Sequence, residues 1–359
     1  MDTLAVILSL DGGGIRGISS IFILENLMEE IRNQMPSHNQ KSTPKPSQVF
    51  DLIGGTSTGG IIATMLGRLN MTTGDCIKAY RDVAKRAFVP REKTGLKCIL
   101  QKIPVLNKIP DPEGAFSAEN LEQAIQFVVK KYCNEENCSS SSDVGEAASC
   151  PHASTKMFRD RNCCNTAVLA ITKVDVDVTP TVFGTYKTTA EFEDCTIAQV
   201  VRATSAATTF FPSIKLGRLG MEFIDAGLGY NNPCEILESE ARELFGPEKK
   251  IYIISIGTGT SGALKINGRR AIVKALADLA TSARRVDQNM KGRLDQHQYF
   301  RFNVNKGLED TTLSDWEETS SIAALTHNYL QDNSVKDRIR ECAKKLVEVV
   351  RARDLNRRE

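Results

Sequence analysis

Leu4-Ala5-Val6-Ile7-Leu8-Ser9-Leu10-Asp11-Gly12-Gly13-Gly14-Ile15-Arg16-Gly17 lies near the start of the chain, and Val49-Phe50-Asp51-Leu52-Ile53-Gly54-Gly55-Thr56-Ser57-Thr58-Gly59-Gly60 follows it. Each is an apolar run that breaks into a glycine-rich turn. Ala5–Leu10 has the pattern of a short buried strand, and 18–35 sets Ile21, Leu24, Leu27, Met28 and Ile31 at helical spacing. Residues 49–53 read as a second strand running into the Ser57 turn, and 60–69 as a helix of small residues. Strand, glycine turn and helix, repeated in succession, predict a three-layer α/β/α fold with a mostly parallel central sheet.

Beyond this pair the pattern is interrupted and then resumes. Residues 36–46 form a polar, proline-containing loop, and 90–114 are rich in proline and lysine without a period. A helix is expected over 117–132, with Ser117 at its N-cap and Asn120 at the third position, an incomplete capping box. Residues 134–162 are polar and carry a run of serines, as an exposed insertion would. Strand patterns return at 166–172, 181–186, 221–224, 250–256 and 299–304, the last a candidate edge. Helices are expected over 196–207, from Asn231-Asn232-Pro233 to Leu244, and over 270–290, 320–330 and 335–353. There is no internal repeat and no linker. The expectation is one domain over 1–359, with its core at 4–330, insertions at 90–114 and 134–162, and a closing basic helix at 335–353. That helix has an apolar side (Val335, Ile339, Leu346, Val349, Val350) and basic residues interleaved with Glu341 and Glu348. A lipid-touching amphipathic helix fits this pattern, but a packed helix with solvated charges fits the mixed signs better.

Composition sets the outer limits. The 359 residues are 41% hydrophobic and 25% charged, enough for a sizeable core. A net charge of +2, from 46 basic and 44 acidic residues, argues against a dedicated nucleic-acid binder. No apolar run approaches the roughly 18 residues of a membrane span, and Met1-Asp2-Thr3 lacks the basic start of a secretion signal. A cytoplasmic location with peripheral membrane contact is expected, and the ten cysteines then read as thiols in a reducing compartment. Cys133, Cys138, Cys150, His152, Cys163 and Cys164 cluster in the serine-rich insertion. A zinc site draws on about four ligands at tight, regular spacing; these spacings are irregular, so the thiols read as incidental, and neither metal nor cofactor is expected.

The chemistry lies in the two turns. Gly55-Thr56-Ser57-Thr58-Gly59, between a strand and a helix, has the pattern of a nucleophile elbow, in which Gly55 and Gly59 let the chain bend sharply at Ser57. The head of the following helix would favour a developing anion. A plain serine turn at a helix start is the bland alternative. Gly12 to Gly17 formally matches a dinucleotide fingerprint, but the acidic residue that motif requires after a second strand falls in 29–34, inside a helix. The better reading is an oxyanion hole built from consecutive glycine amides, each donor contributing about 3 kcal/mol to transition-state stabilisation. Two readings of Arg16 remain open: a positive charge beside that hole, or a brace on a carboxylate such as Asp11.

A serine nucleophile needs a base. His38, His152, His297 and His327 all sit in surface-like contexts. Asp225 ends a short strand and is followed by Ala226-Gly227, at the kind of strand end where α/β sites form, although a turn aspartate fits equally. A free carboxylate of pKa about 4 is a weak base. It would need burial and a direct hydrogen bond to Ser57.

At this point the chain resembles the patatin-like phospholipases. The resemblance rests on 8–17, 50–60, Arg202-Ala203-Thr204-Ser205-Ala206-Ala207 with Phe210-Phe211-Pro212, Phe223-Ile224-Asp225-Ala226-Gly227 with Asn231-Asn232-Pro233, and Ile254-Ser255-Ile256-Gly257-Thr258-Gly259. It implies a Ser–Asp dyad without histidine: Ser57 as nucleophile, Asp225 as base, and Gly12, Gly13, Gly14, Arg16 and Thr58 around the oxyanion. It also implies calcium-independent hydrolysis of acyl esters in phospholipids or other glycerolipids through an acyl-serine intermediate. The chain departs from the family's usual Asp-Gly-Gly or Asp-Gly-Ala at Ala226, and the 133–164 stretch has no counterpart in that pattern. Because the chain ends soon after its last helix, a stand-alone enzyme or an isolated effector domain is expected.

The rivals are an α/β-hydrolase triad in the order Ser57, Asp225, His297 or His327, a transacylase sharing the acyl-enzyme, and a non-catalytic module binding lipid or nucleotide through its glycine loops. Transient docking on a bilayer is expected through 90–114, where Leu96, Ile99 and Leu100 mix with Arg91, Lys93 and Lys97.

Overall fold

The computed structural model describes residues 4–36, 42–89, 115–133, 150–174, 179–186, 189–207, 210–259, 270–308 and 316–356. The docking segment expected at 90–114, residues 134–149 of the second insertion, and His38 lie outside the described residues.

In chain order the elements are β1 (Ala5–Leu10), α1 (Gly17–Gln34), α2 (Pro46–Val49), β2 (Leu52–Thr56), α3 (Thr58–Ala63), α4 (Thr73–Ala87), α5 (Ala118–Lys131), β3 (Asn165–Thr172), β4 (Thr181–Gly184), α6 (Ile197–Thr204), β5 (Ile214–Leu216), β6 (Met221–Asp225), α7 (Cys234–Phe245), β7 (Ile251–Ile256), α8 (Arg270–Arg293), β8 (Tyr299–Phe302), α9 (Thr319–Gln331) and α10 (Asn333–Asn356). The strands form one sheet of order β5-β6-β3-β2-β1-β7-β8, with β4 also paired to β3. From β3 to β8 all pairings are parallel. β4 and β6 run antiparallel to β3, and β5 antiparallel to β6.

β1 is buried along its whole length and feeds both faces of the sheet, as period-2 geometry requires. Val6, Leu8 and Leu10 join the larger core with Leu24 and Leu27 of α1, Tyr80 and Val83 of α4, and Ile339 and Leu346 of α10. Ile7 points the other way, into a smaller core with Leu237 and Ala241 of α7 and Val286 and Met290 of α8. The expected three-layer architecture follows from this split.

The local differences have local causes. Val49 is not in a strand: Pro46 starts the short helix α2, whose first carbonyl accepts the Phe50 N–H at 2.9 Å, so β2 begins only at Leu52. β2 then extends through Gly54 and Gly55, beyond the strand end at 53 that the apolar pattern predicts. Pairing on both sides, Leu10 with Gly55 and Leu169 with Thr56, holds those residues extended. α3 stops at Ala63 and widens into a π-helical turn, Thr64–Arg68. The unanticipated α4 has a Thr72 N-cap that accepts from Asp75 N–H at 3.1 Å, and an inward stripe of Cys76, Ala79, Tyr80, Val83 and Ala87. Ser117 caps α5 through the Asn120 N–H at 3.2 Å.

The closing basic helix α10 is a packed element. Cys342, Ala343 and Val347 are buried, Arg353 pairs with Asp51, and Arg351 donates to the Gln34 carbonyl at 3.1 Å. Among the described residues no helix is long and apolar enough to cross a membrane.

Candidate active site

Ser57 stands at the junction of β2 and α3 with φ 55° and ψ −125°, a left-handed conformation rare for a residue with a side chain. Such a residue costs on the order of 1–3 kcal/mol and persists where the surroundings over-determine it. Here they do. A Cβ at Gly55 would lie 2.2 Å from the Gly59 carbonyl carbon, and one at Gly59 would lie 2.1 Å from the Leu10 oxygen, so neither position admits a side chain. The Ser57 N–H donates to Thr204 Oγ1 at 2.8 Å, and that hydroxyl donates to the Leu169 carbonyl at 2.6 Å, tying the turn to α6 and β3.

Sheet register brings the carboxylate. Thr56 pairs with Leu169 on one side of β3, and Asp225 pairs with Ala170 on the other. Asp225 is therefore not at the carboxyl end of a parallel strand, as the sequence reading had it. It arrives on β6, running against β3, and the strand ends at the level of Ser57. Ser57 Oγ donates to Asp225 Oδ2 at 2.6 Å, and the Gly227 N–H donates to Oδ1 at 2.7 Å. Ala226 is fully buried in the smaller core, and the turn it occupies still delivers the Gly227 amide. Burial pushes the Asp225 carboxyl up to about 6, against the lowering effect of the Ser57 and Gly227 hydrogen bonds. A base near neutrality in contact with a hydroxyl is the arrangement that general-base activation needs.

The first glycine loop lies beside Ser57, but its amides do not all face one point. The Gly12 N–H donates to the Asn231 carbonyl at 3.1 Å, and the Gly13 N–H to Thr58 Oγ1 at 3.0 Å. Among the described residues, the Gly14 and Thr58 amides make no hydrogen bond outside their own helical turns. Thr258 Oγ1 donates to the Gly12 carbonyl at 2.8 Å, and the Tyr80 hydroxyl to the Gly14 carbonyl at 2.6 Å, fixing the loop from both sides. Asp11 is not braced by Arg16. Arg301 on β8 holds it through two bonds of 2.8 and 2.5 Å, both partners being nearly enclosed. Arg16 is itself buried, its Nε has no partner among the described residues, and burial lowers its pKa to about 10, which leaves it charged at neutral pH. It lines a cavity of about 250 Å³ with Gly12, Gly13, Asn231 and Arg301, on a side of the loop that neither Ser57 nor Asp225 borders.

The described histidines are elsewhere. His297 precedes β8, at the opposite end of the parallel sheet from Ser57, and bonds Glu341 at 2.7 Å. His327 is exposed on α9, and His152 faces Cys133. With Asp225 Oδ2 bonded directly to Ser57 Oγ, no imidazole stands between them. The sequence reading missed the supports Thr204, Asn231, Thr258 and Arg301. The first three fall inside the segments that carry the family resemblance. Arg301 had its own signal, a lone cation within an apolar strand.

The sequence pattern of the family described as patatin-like phospholipase matches residues 8–238. Calcium-independent phospholipase A2-gamma of Homo sapiens is 26% identical over 312 residues, covering 83% of this chain and 34% of that protein. Phospholipase A I of Arabidopsis thaliana is 25% identical over 367 residues, covering 91% of this chain and 27% of that protein. This chain thus spans about a third or less of the length of either relative. Among solved structures, human GIVD cytosolic phospholipase A2 aligns over 98% of this chain and 60% of its own, at 9% identity and a TM-score of 0.44.

Proposed function

Since the chain belongs to the patatin-like phospholipase family, we propose that it is a calcium-independent serine acyl hydrolase of phospholipids or other glycerolipids, working through a Ser57–Asp225 dyad. The observation that carries this reading is the 2.6 Å hydrogen bond from the strained Ser57 to the buried Asp225. Asp225 takes the hydroxyl proton as Oγ attacks the acyl carbonyl, then returns it to the departing alcohol oxygen. A water deprotonated by the same carboxylate then attacks the acyl-serine; the acyl–Oγ bond breaks, Asp225 returns the proton to Ser57 Oγ, and the fatty acid leaves. The Gly14 and Thr58 amides are the donors available to the oxyanion; Gly12 and Gly13 shape the loop, and the Arg16 charge adds to its positive potential. The chain acts as one domain over 1–359, cytoplasmic and in transient contact with the bilayer that holds its substrate.

Labelling of the purified chain by a fluorophosphonate, with the adduct mapped by peptide mass, is expected to fall on Ser57. A panel of phospholipids, lysophospholipids and neutral glycerolipids then identifies the substrate. Labelling at any other residue contradicts the assignment. His297→Ala and His327→Ala are expected to leave kcat/KM largely unchanged, whereas a general base would cost about 10²–10⁴-fold; a loss of that size with either restores the triad.

The base must be ionised to act. Because the Asp225 pKa is raised to about 6, kcat/KM is expected to be low in acid, to rise through pH ~6 and to level above it. A rate already level from pH ~4.5 upward would remove Asp225 as the base.

A further inference from the structure

Of the six metal-capable side chains between 133 and 164, the fold separates two. Cys163 Sγ donates to the Asp160 carbonyl at 3.2 Å, and Cys164 Sγ to the Phe50 carbonyl at 3.4 Å. Cys138 lies outside the described residues. Cys133, Cys150 and His152 converge: their ligand atoms all lie within 4.8 Å of one another, with Cys133 Sγ 3.5 Å and Cys150 Sγ 4.0 Å from His152 Nδ1. Tetrahedral zinc, with Zn–S of about 2.3 Å and Zn–N of about 2.05 Å, sets sulfur and nitrogen about 3.6 Å apart. The contacts sit close to that edge length. Both thiols meet the same ring nitrogen.

Core packing fixes the two halves of this cluster. Cys133 follows the end of α5, whose Leu121, Ile125, Val128 and Val129 are buried. Cys150-Pro151-His152 is held as a turn by Ala153 N–H to the Cys150 carbonyl at 3.3 Å and Lys156 N–H to the His152 carbonyl at 2.9 Å. The Lys156 carbonyl in turn accepts the Ile197 N–H at 2.9 Å, and Phe158 N–H donates to the Cys195 carbonyl at 2.9 Å, docking the turn on the start of α6. Cys150 is buried, while Cys133 and His152 are half-buried. Cys133 and His152 are thus partly open to solvent. Two sulfurs and one imidazole are a donor set for a borderline-soft ion such as Zn²⁺, and exclude a preference for Ca²⁺ or Mg²⁺.

We propose that Cys133, Cys150 and His152 form a Zn²⁺ site, with both cysteines bound as thiolates and their protons released on binding. The ion clips together the ends of segment 134–149 and joins the C-terminus of α5 to the approach to α6. Its binding free energy adds to the stability of the fold. The site takes no part in ester cleavage.

The full chain, purified with reductant, is titrated with Zn²⁺ against a chromophoric chelator and, in parallel, with Co²⁺. One Zn²⁺ per chain is expected, together with tetrahedral Co²⁺ bands and thiolate-to-cobalt charge transfer. Cys133→Ser and His152→Ala, both at half-buried positions, are each expected to weaken Zn²⁺ binding at least about tenfold, whereas Cys163→Ser retains it. Zn²⁺ should raise the unfolding temperature of wild type and not of the Cys133→Ser/His152→Ala double variant, with fluorophosphonate labelling of Ser57 the same in both. Wild-type Zn²⁺ affinity no better than that of the double variant overturns the proposal. So does an equal loss with Cys163→Ser, or a Cys133–Cys150 disulfide in protein isolated without air.

Discussion

Ser57→Ala is expected to lower kcat/KM for acyl-ester hydrolysis by about 10⁴–10⁶-fold while the chain stays folded. The size follows from the absence of a substitute: Thr58 and Thr56 flank Ser57, but the Thr58 hydroxyl accepts from Gly13 and the Thr56 hydroxyl donates to the Tyr230 carbonyl, so neither faces Asp225. The fold is expected to persist because the turn is held by its backbone. The Ser57 N–H to Thr204 bond and the close approaches at Gly55 and Gly59 are untouched by loss of Oγ. Steady-state hydrolysis of the preferred lipid, with circular dichroism of both proteins, checks it. A variant that keeps more than about a tenth of wild-type turnover would remove Ser57 as the nucleophile.

Asp225→Asn should cost about 10³–10⁴-fold in kcat/KM with little structural change. The amide can still accept the Gly227 N–H and meet Ser57 Oγ, so the geometry survives and only the base is lost. The two readouts move independently. Because burial raises the folded-state pKa above the ordinary aspartate value to about 6, this group favours the folded state most while protonated. That contribution is lost as pH climbs from the unfolded value through ~6. At neutral pH the wild type carries a buried charge that asparagine does not, and the variant's unfolding temperature should equal or exceed wild type's. Lost activity with unchanged or higher thermal stability identifies a chemical role. Lost activity with a lower unfolding temperature would make Asp225 a structural residue.

The elements that were legible in the sequence share a physical property: their requirements are local. A buried strand such as β1 needs a run of apolar residues, and the Ser57 turn needs glycines at Gly55 and Gly59 because backbone passes where their side chains would be. Both demands are written within a few residues. β2 starts later than its apolar run implies because Pro46 nucleates a helical turn ahead of it, a competition between two local preferences. α4 likewise carries its cap and its apolar stripe within its own residues.

By itself, then, the sequence determined the α/β layering, the sharp turn at Ser57 and the glycine loop beside it. Only the tertiary structure decided which groups those turns meet. Antiparallel β6 sets Asp225 opposite Ala170, one residue beyond the Leu169–Thr56 pair, and so puts a carboxylate on the serine. Strand order puts Arg301 rather than Arg16 on Asp11, and turns the Gly12 and Gly13 amides toward Asn231 and Thr58. Core packing of α5 and the docking of 156–158 on the start of α6 bring Cys133 to Cys150 and His152 across irregular spacing. In each case the meeting depends on strand order and register or on the packing of separate elements, which no short stretch of residues encodes.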